Sequence, residues 1–241
     1  MVYTHFYEKK RVYQPHTACF GVVVATTPLN SFALATNKLT PPAKGKIPVA
    51  FAISEGATVI DFAGPWEVFQ DVMIPSRGNN MDEQMPFQLF TVSEKLEPIT
   101  GSGGLKLVPD YTFDTAPQPK VVVVGAQRGS KALHAWLNKM SSSTDLIMSV
   151  CTGAFQLGRA GLLSGKSATT HHEFFDQFAK AFPDVTVKRG LRFVEEEKVS
   201  SAGGLTSGID LALHVVERYF GRDVAQTTAI YMEYQSKGWV V

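Results

Sequence analysis

Four consecutive valines, Val121 to Val124, closed by Gly125 and Ala126, constrain this chain more than any other stretch. A β-branched run with no polar alternation has no face to offer to water. It fits a central strand of a parallel sheet covered on both faces. Parallel neighbours require long crossover connections, usually helices. The rest of the sequence alternates accordingly. Ile47 to Ile53, Phe87 to Ser93 and Asp145 to Val150 read as further buried strands, and Gly104 to Phe113 as a strand or hairpin arm. Helical spacing runs through Asp61–Met73, Ser130–Met140, Thr152–Leu163, His172–Phe182, Thr206–Gly221 and Arg222–Tyr234, with Pro65 expected in a first helical turn. Ser167–Thr170 reads as a short strand, and Val185–Gly204 as two short strands around a charged turn. Strands alternating with helices predict an α/β fold with a mostly parallel sheet sandwiched by helices.

The organisation expected is a single α/β domain over residues 47–238, preceded by an extension and Pro-rich linker over residues 1–46. Lys9, Lys10 and Arg11, followed by an apolar stretch ending in Ala33-Leu34-Ala35, resemble a degenerate export signal. The location expected is therefore cytoplasmic, or exported if that segment is a signal. The stretch is too short and too polar for a spanning helix. With 23 basic against 22 acidic residues and no basic block, the chain shows no electrostatic footprint for nucleic acid or a membrane surface, so a small-molecule substrate is expected. Two cysteines, Cys19 and Cys151, exclude a disulfide framework and a cysteine-based zinc site. No metal or cofactor motif is present, and none is expected.

Cys151 stands between the apolar run Leu146–Val150 and the small-residue run that follows. In open parallel sheets chemistry gathers where strands end and helices begin. A helix N-terminus facing a thiol favours thiolate, the nucleophilic form, and Gly153 and Ala154 allow a sharp elbow. Cys151 reads equally as a small buried hydrophobe. The backbone amides of Gly125 and Ala126, at the end of the valine strand, are candidates to hold developing negative charge. Acid/base candidates are Asp61, Glu67, His171 and His172. Asp61 lies among apolar residues, and its alternative is an ordinary helix N-cap. Glu67 reads as a solvated helix position, and His134 and His214 as ordinary helix residues.

Three segments, "VIDFAGPWEVF", "SVCTGAFQLGRAGLLSGKSATTHH" and "GGLTSGIDLALHVVERYFG", resemble the ThiJ/PfpI superfamily with its flavodoxin-like, class I glutamine amidotransferase-like fold, and within it the isocyanide hydratase branch. The resemblance implies Cys151 as reactive cysteine followed by Thr152, Asp61 as the family's acidic residue, and His171 as the histidine of its A-T-T-H segment. Where superfamily proteases carry a histidine directly after the cysteine, this chain carries Thr152. The family's usual Gly-Gly pair is here Gly125-Ala126. The resemblance implies a lyase that adds water to an isocyanide and releases an N-formamide, with aldehyde-directed (glyoxalase-type) activity or a non-enzymatic ligand-sensing role as alternatives. Rapid alkylation of Cys151 would favour the enzyme. A homodimer is also implied, with Phe62, Trp66 and Phe69 available to an interface or to the core. Regulators sharing this domain carry a following DNA-binding region, and the stop at Val241 leaves no room expected for one.

Overall fold

The computed structural model describes residues 38–241; the export-signal reading and Cys19 fall outside the described residues. In chain order the elements are β1 (Ile47–Ala52), α1 (Val59–Gln70), α2 (Met81–Gln84), β2 (Phe87–Ser93), β3 (Ile99–Thr100), β4 (Lys106–Leu107), β5 (Tyr111–Thr112), β6 (Val121–Val124) and α3 (Lys131–Met140). They continue with β7 (Leu146–Ser149), α4 (Ala154–Arg159), β8 (Ser167–Ala168), α5 (Phe175–Ala181), β9 (Thr186–Val187), β10 (Phe193–Glu195), β11 (Val199–Ala202), α6 (Ser207–Phe220) and α7 (Arg222–Tyr231).

The main sheet has the order β10-β11-β7-β6-β1-β2-β5, and the valine strand β6 lies at its centre. All its pairings are parallel except that of β10 with β11. All four valines are buried, and they alternate between two cores as a two-residue period requires. Val121 and Val123 join Phe51, Val68, Phe69, Leu211 and Val215 from β1, α1 and α6. Val122 and Val124 join Leu133, Leu137, Leu157 and Phe178 from α3, α4 and α5. The helices after β1 and β6, α1 and α3, therefore leave toward opposite faces, which opens a crevice at the strand ends between them.

Local departures from the sequence reading have physical causes. Gly104–Phe113 divides into two strands of different sheets: β4 pairs with β3, and β5 extends the main sheet beside β2. Pro109 lies between them, where a missing N–H breaks any ladder. Pro65 sits inside α1 rather than in its first turn, because the helix starts at Val59, whose N–H is held by Ser102 Oγ at 3.0 Å. The helix after Cys151 ends at Arg159, short of Leu163, with Gly161 at φ 76° just beyond it. Phe69 is fully buried and the Trp66 ring lies 4.9 Å from that of Phe51, so the core accounts for both. No helix among the described residues is long and apolar enough to cross a membrane.

Candidate active site

β7 delivers Cys151 to the crevice through a strained elbow. Its φ of 59° lies in the left-handed region, which costs a non-glycine residue about 1–3 kcal/mol and persists only where the surroundings enforce it. Here the Cys151 N–H donates to Gly203 O at 2.8 Å, and its carbonyl accepts from Thr170 Oγ1 at 2.9 Å. Gly153 lets the elbow pass the valine strand: a Cβ there would stand 2.1 Å from Val124 O.

Asp61 reaches the same point from the first turn of α1. Thr58, not Asp61, is the cap residue, and the Thr58 N–H ties the helix start to Ala126 O at 2.8 Å. The Asp61 carboxyl is 0% exposed, and its Oδ2 accepts the Ala126 N–H at 2.9 Å. Oδ1 is buried and has no hydrogen-bond partner, while the Cys151 thiol lies near enough to the carboxyl to affect its titration. Gly125 makes this approach possible, since a Cβ there would lie 2.7 Å from Asp61 Cβ. At Ala126 the arrangement differs from the expectation for the Gly125-Ala126 pair. The Ala126 amide is already engaged in orienting Asp61 and is not free to hold charge on a substrate.

Burial pushes the Asp61 carboxyl from 3.8 to about 6, with the Ala126 amide and Cys151 thiol pulling against the rise. Burial, then the Asp61 charge, pushes the Cys151 thiol from 9.0 to about 11, although the Thr152 and Leu205 N–H groups aim at the sulfur and oppose it. At neutral pH the pair is therefore carboxylate and thiol. Both shifts run opposite to the expectation of a resting thiolate. The helix after the elbow spans only Ala154–Arg159, and its positive end is outweighed by desolvation and a carboxylate at contact. Slow alkylation at neutral pH is consequently expected of the active form, and it no longer discriminates against an enzyme.

Thr152 is half-buried beside the sulfur and lines a cavity of about 220 Å³ that also takes in Gln127, Arg128, Phe155 and Phe174. His171 makes no hydrogen bond to Cys151 or Asp61 among the described residues. Its Nδ1 accepts the Glu173 N–H at 3.3 Å, and its ring covers Gly204, where a Cβ would come within 2.4 Å of Cδ2. Its ring lies tilted, 4.4 Å from the ring of exposed His172. Glu67 is exposed on α1, away from the pair. Leu205 was missed in the sequence: at φ 51° it turns its N–H toward the sulfur. The Gly203-Gly204 step before it was the signal. His214 is not an ordinary helix residue either; it is fully buried and bonded to Glu195. No group of three or more metal-ligating side chains occurs among the described residues.

A family model described as the DJ-1/PfpI family matches residues 48–218. The chain is 31% identical over 192 residues to the isonitrile hydratase of Pseudomonas putida, covering 77% of this chain and 78% of that protein. It is 28% identical over 182 residues to the HTH-type transcriptional regulator GbdR of Pseudomonas aeruginosa, covering 73% of this chain but only 48% of the regulator. A crystal structure of a THiJ/PfpI family protein from Pseudomonas syringae superposes with a TM-score of 0.66 at 24% identity, over 89% of this chain and 84% of that one, a likeness of fold.

Proposed function

The chain belongs to the DJ-1/PfpI family, and from that premise we propose that it is a lyase hydrating an isocyanide to an N-formamide. The observation that carries the proposal is the buried Asp61 carboxyl beside Cys151, with one oxygen given to the Ala126 amide and the other buried without a partner. A carboxylate with a pKa near 6 is poised to accept a proton at neutral pH and return it. As sulfur attacks the terminal carbon of R–N≡C, the thiol proton passes to Asp61 and then to that carbon, giving the thioimidate R–N=CH–S. Asp61, again a carboxylate, takes a proton from water as the water oxygen adds to the same carbon, and the nitrogen is protonated. The adduct R–NH–CH(OH)–S collapses: the C–S bond breaks, the hydroxyl proton leaves, and R–NH–CHO departs as the thiol is restored. Water and isocyanide are the only reactants consumed. The Thr152 and Leu205 amides favour negative charge on sulfur as the C–S bond breaks. Thr152 orients the bound molecule from the cavity wall.

The similarity to a transcription regulator supports a second reading, a ligand-binding domain without turnover. Purified protein assayed against an isocyanide, methylglyoxal and a peptide amide separates the readings. Formamide release from the isocyanide alone is expected, and Cys151→Ala should lower it at least about 10³-fold. Wild-type turnover in that variant would overturn the mechanism, and no turnover of any compound would favour the binding domain.

A further inference from the structure

The cavity beside Thr152 has a one-sided electrostatic lining. Its charged residues are Arg128 and Arg159, and no aspartate or glutamate borders it. Neither guanidinium has an ion-pair partner among the described residues, although seven such pairs form elsewhere. Both residues are exposed; a ring contact holds the Arg159 side chain, and hydrogen bonds hold the Arg128 backbone. Arg159, in the last turn of α4, lies with its guanidinium carbon 5.8 Å from the centroid of the Phe155 ring. Arg128 sits in the loop after β6, which buried Gln156 clamps. Gln156 Nε2 donates to Gln127 O at 2.9 Å and reaches Arg128 O at 3.5 Å, while its Oε1 pairs with His134 Nε2 at 2.8 Å. The Arg128 N–H is held by Glu55 O at 3.0 Å. The adjoining depression that Arg128 also borders, about 360 Å³, differs in kind: Glu55, Glu94 and Glu97 line it with Lys95.

Resting on the proposed hydratase activity, we infer that the substrate's R group carries an anionic group such as a carboxylate, which Arg128 and Arg159 receive while the isocyanide carbon points past Thr152 toward Cys151. Thr152 is the link, since it follows Cys151 in the elbow and lines this cavity, whose wall does not itself include Cys151 or Asp61. The open depression of about 220 Å³ suits a molecule of modest size. Arginine is suited to such a task because its planar fork meets a carboxylate with two parallel hydrogen bonds. Phe155 and Phe174 supply apolar walls for the linking carbons.

The test uses a matched pair, isocyanoacetate and isocyanoacetamide, which differ in charge and little in size. Wild-type kcat/KM should favour the carboxylate about tenfold, and the preference should shrink as salt rises. In Arg128→Gln/Arg159→Gln the ratio should fall toward one. A ratio near one in the wild type, with both compounds turned over, would overturn the inference and leave the hydratase reading standing. Titration calorimetry of Cys151→Ala with the same two compounds reads recognition without turnover. Preferential binding of the carboxylate, lost in the added arginine substitutions, supports the anion site even if neither compound is hydrated, in which case the hydratase reading alone fails. Equal or undetectable binding of both, or a preference that survives loss of both arginines, overturns the anion site.

Discussion

A buried and a half-buried carboxyl group in this molecule meet opposite fates. Glu195, on β10, bonds to His214 Nε2 and lies 3.3 Å from Arg218 Nε, both on α6. Burial alone would raise its pKa, but the His214 hydrogen bond and the Arg218 charge outweigh it and hold the carboxyl below its ordinary value. Asp61 is at least as buried, yet it meets one backbone amide and a thiol, and its pKa rises to about 6. A buried acid compensated by cations stays ionised and holds secondary structure together. A buried acid compensated only by neutral donors is left near the pH at which it can exchange a proton. The partners differ, and so does the depth, with Asp61 0% exposed and the Glu195 side chain 17%.

The largest expected effect of breaking the contrast is at Asp61. Asp61→Asn keeps an oxygen for the Ala126 amide and removes the base, so turnover should fall about 10²- to 10⁴-fold. Stability should move the other way. The folded pKa of about 6 exceeds the ordinary 3.8, so the native state binds the extra proton, and wild-type stability falls as pH rises through that window. Above it the variant should be more stable by on the order of 3 kcal/mol, a gap that closes below about pH 4. Denaturant titrations of both proteins at several pH values measure it.

Glu195→Gln should give the mirror image. Its lowered folded pKa contributes stability that is present above the unfolded value and lost as pH falls. Removing the charge beside Arg218 should destabilise the fold at neutral pH by about 3–5 kcal/mol. Turnover per folded molecule should remain at the wild-type level, because the residue lies outside the Asp61–Cys151 site. The same titrations, with activity normalised to folded protein, check it. Gly125→Ala sharpens the comparison more gently. The new methyl presses on Asp61 Cβ, and a carboxyl displaced by a few tenths of an ångström should lower kcat about tenfold while the protein still folds.

Much of the architecture was legible because it rests on period and length. The valine run, the apolar strand from Ile47 and the helix from Ser207 announce buried elements through composition alone. Cys151 and Asp61 could be singled out by their setting at strand ends and among apolar neighbours. Three things were illegible for a common reason: they depend on what tertiary packing brings alongside. The Cys151 thiol stays protonated because a carboxylate from α1 reaches it, which no local pattern encodes. Leu205 contributes through its backbone, so its side chain carries no signal. His214 lies at an ordinary helical spacing, and only the arrival of β10 gives it Glu195 as a hydrogen-bond partner.

The central claim is that Asp61 takes the proton from a neutral Cys151 thiol. The pH dependence of kcat/KM for isocyanide hydration tests it most directly, since that parameter reports the essential groups of the free protein. The account predicts a tenfold rise per pH unit at acid pH that levels off with a midpoint near 6, as the carboxylate forms. A profile that keeps climbing through neutrality toward the ordinary thiol value of 9.0 would show that thiolate is the required species and would contradict the account.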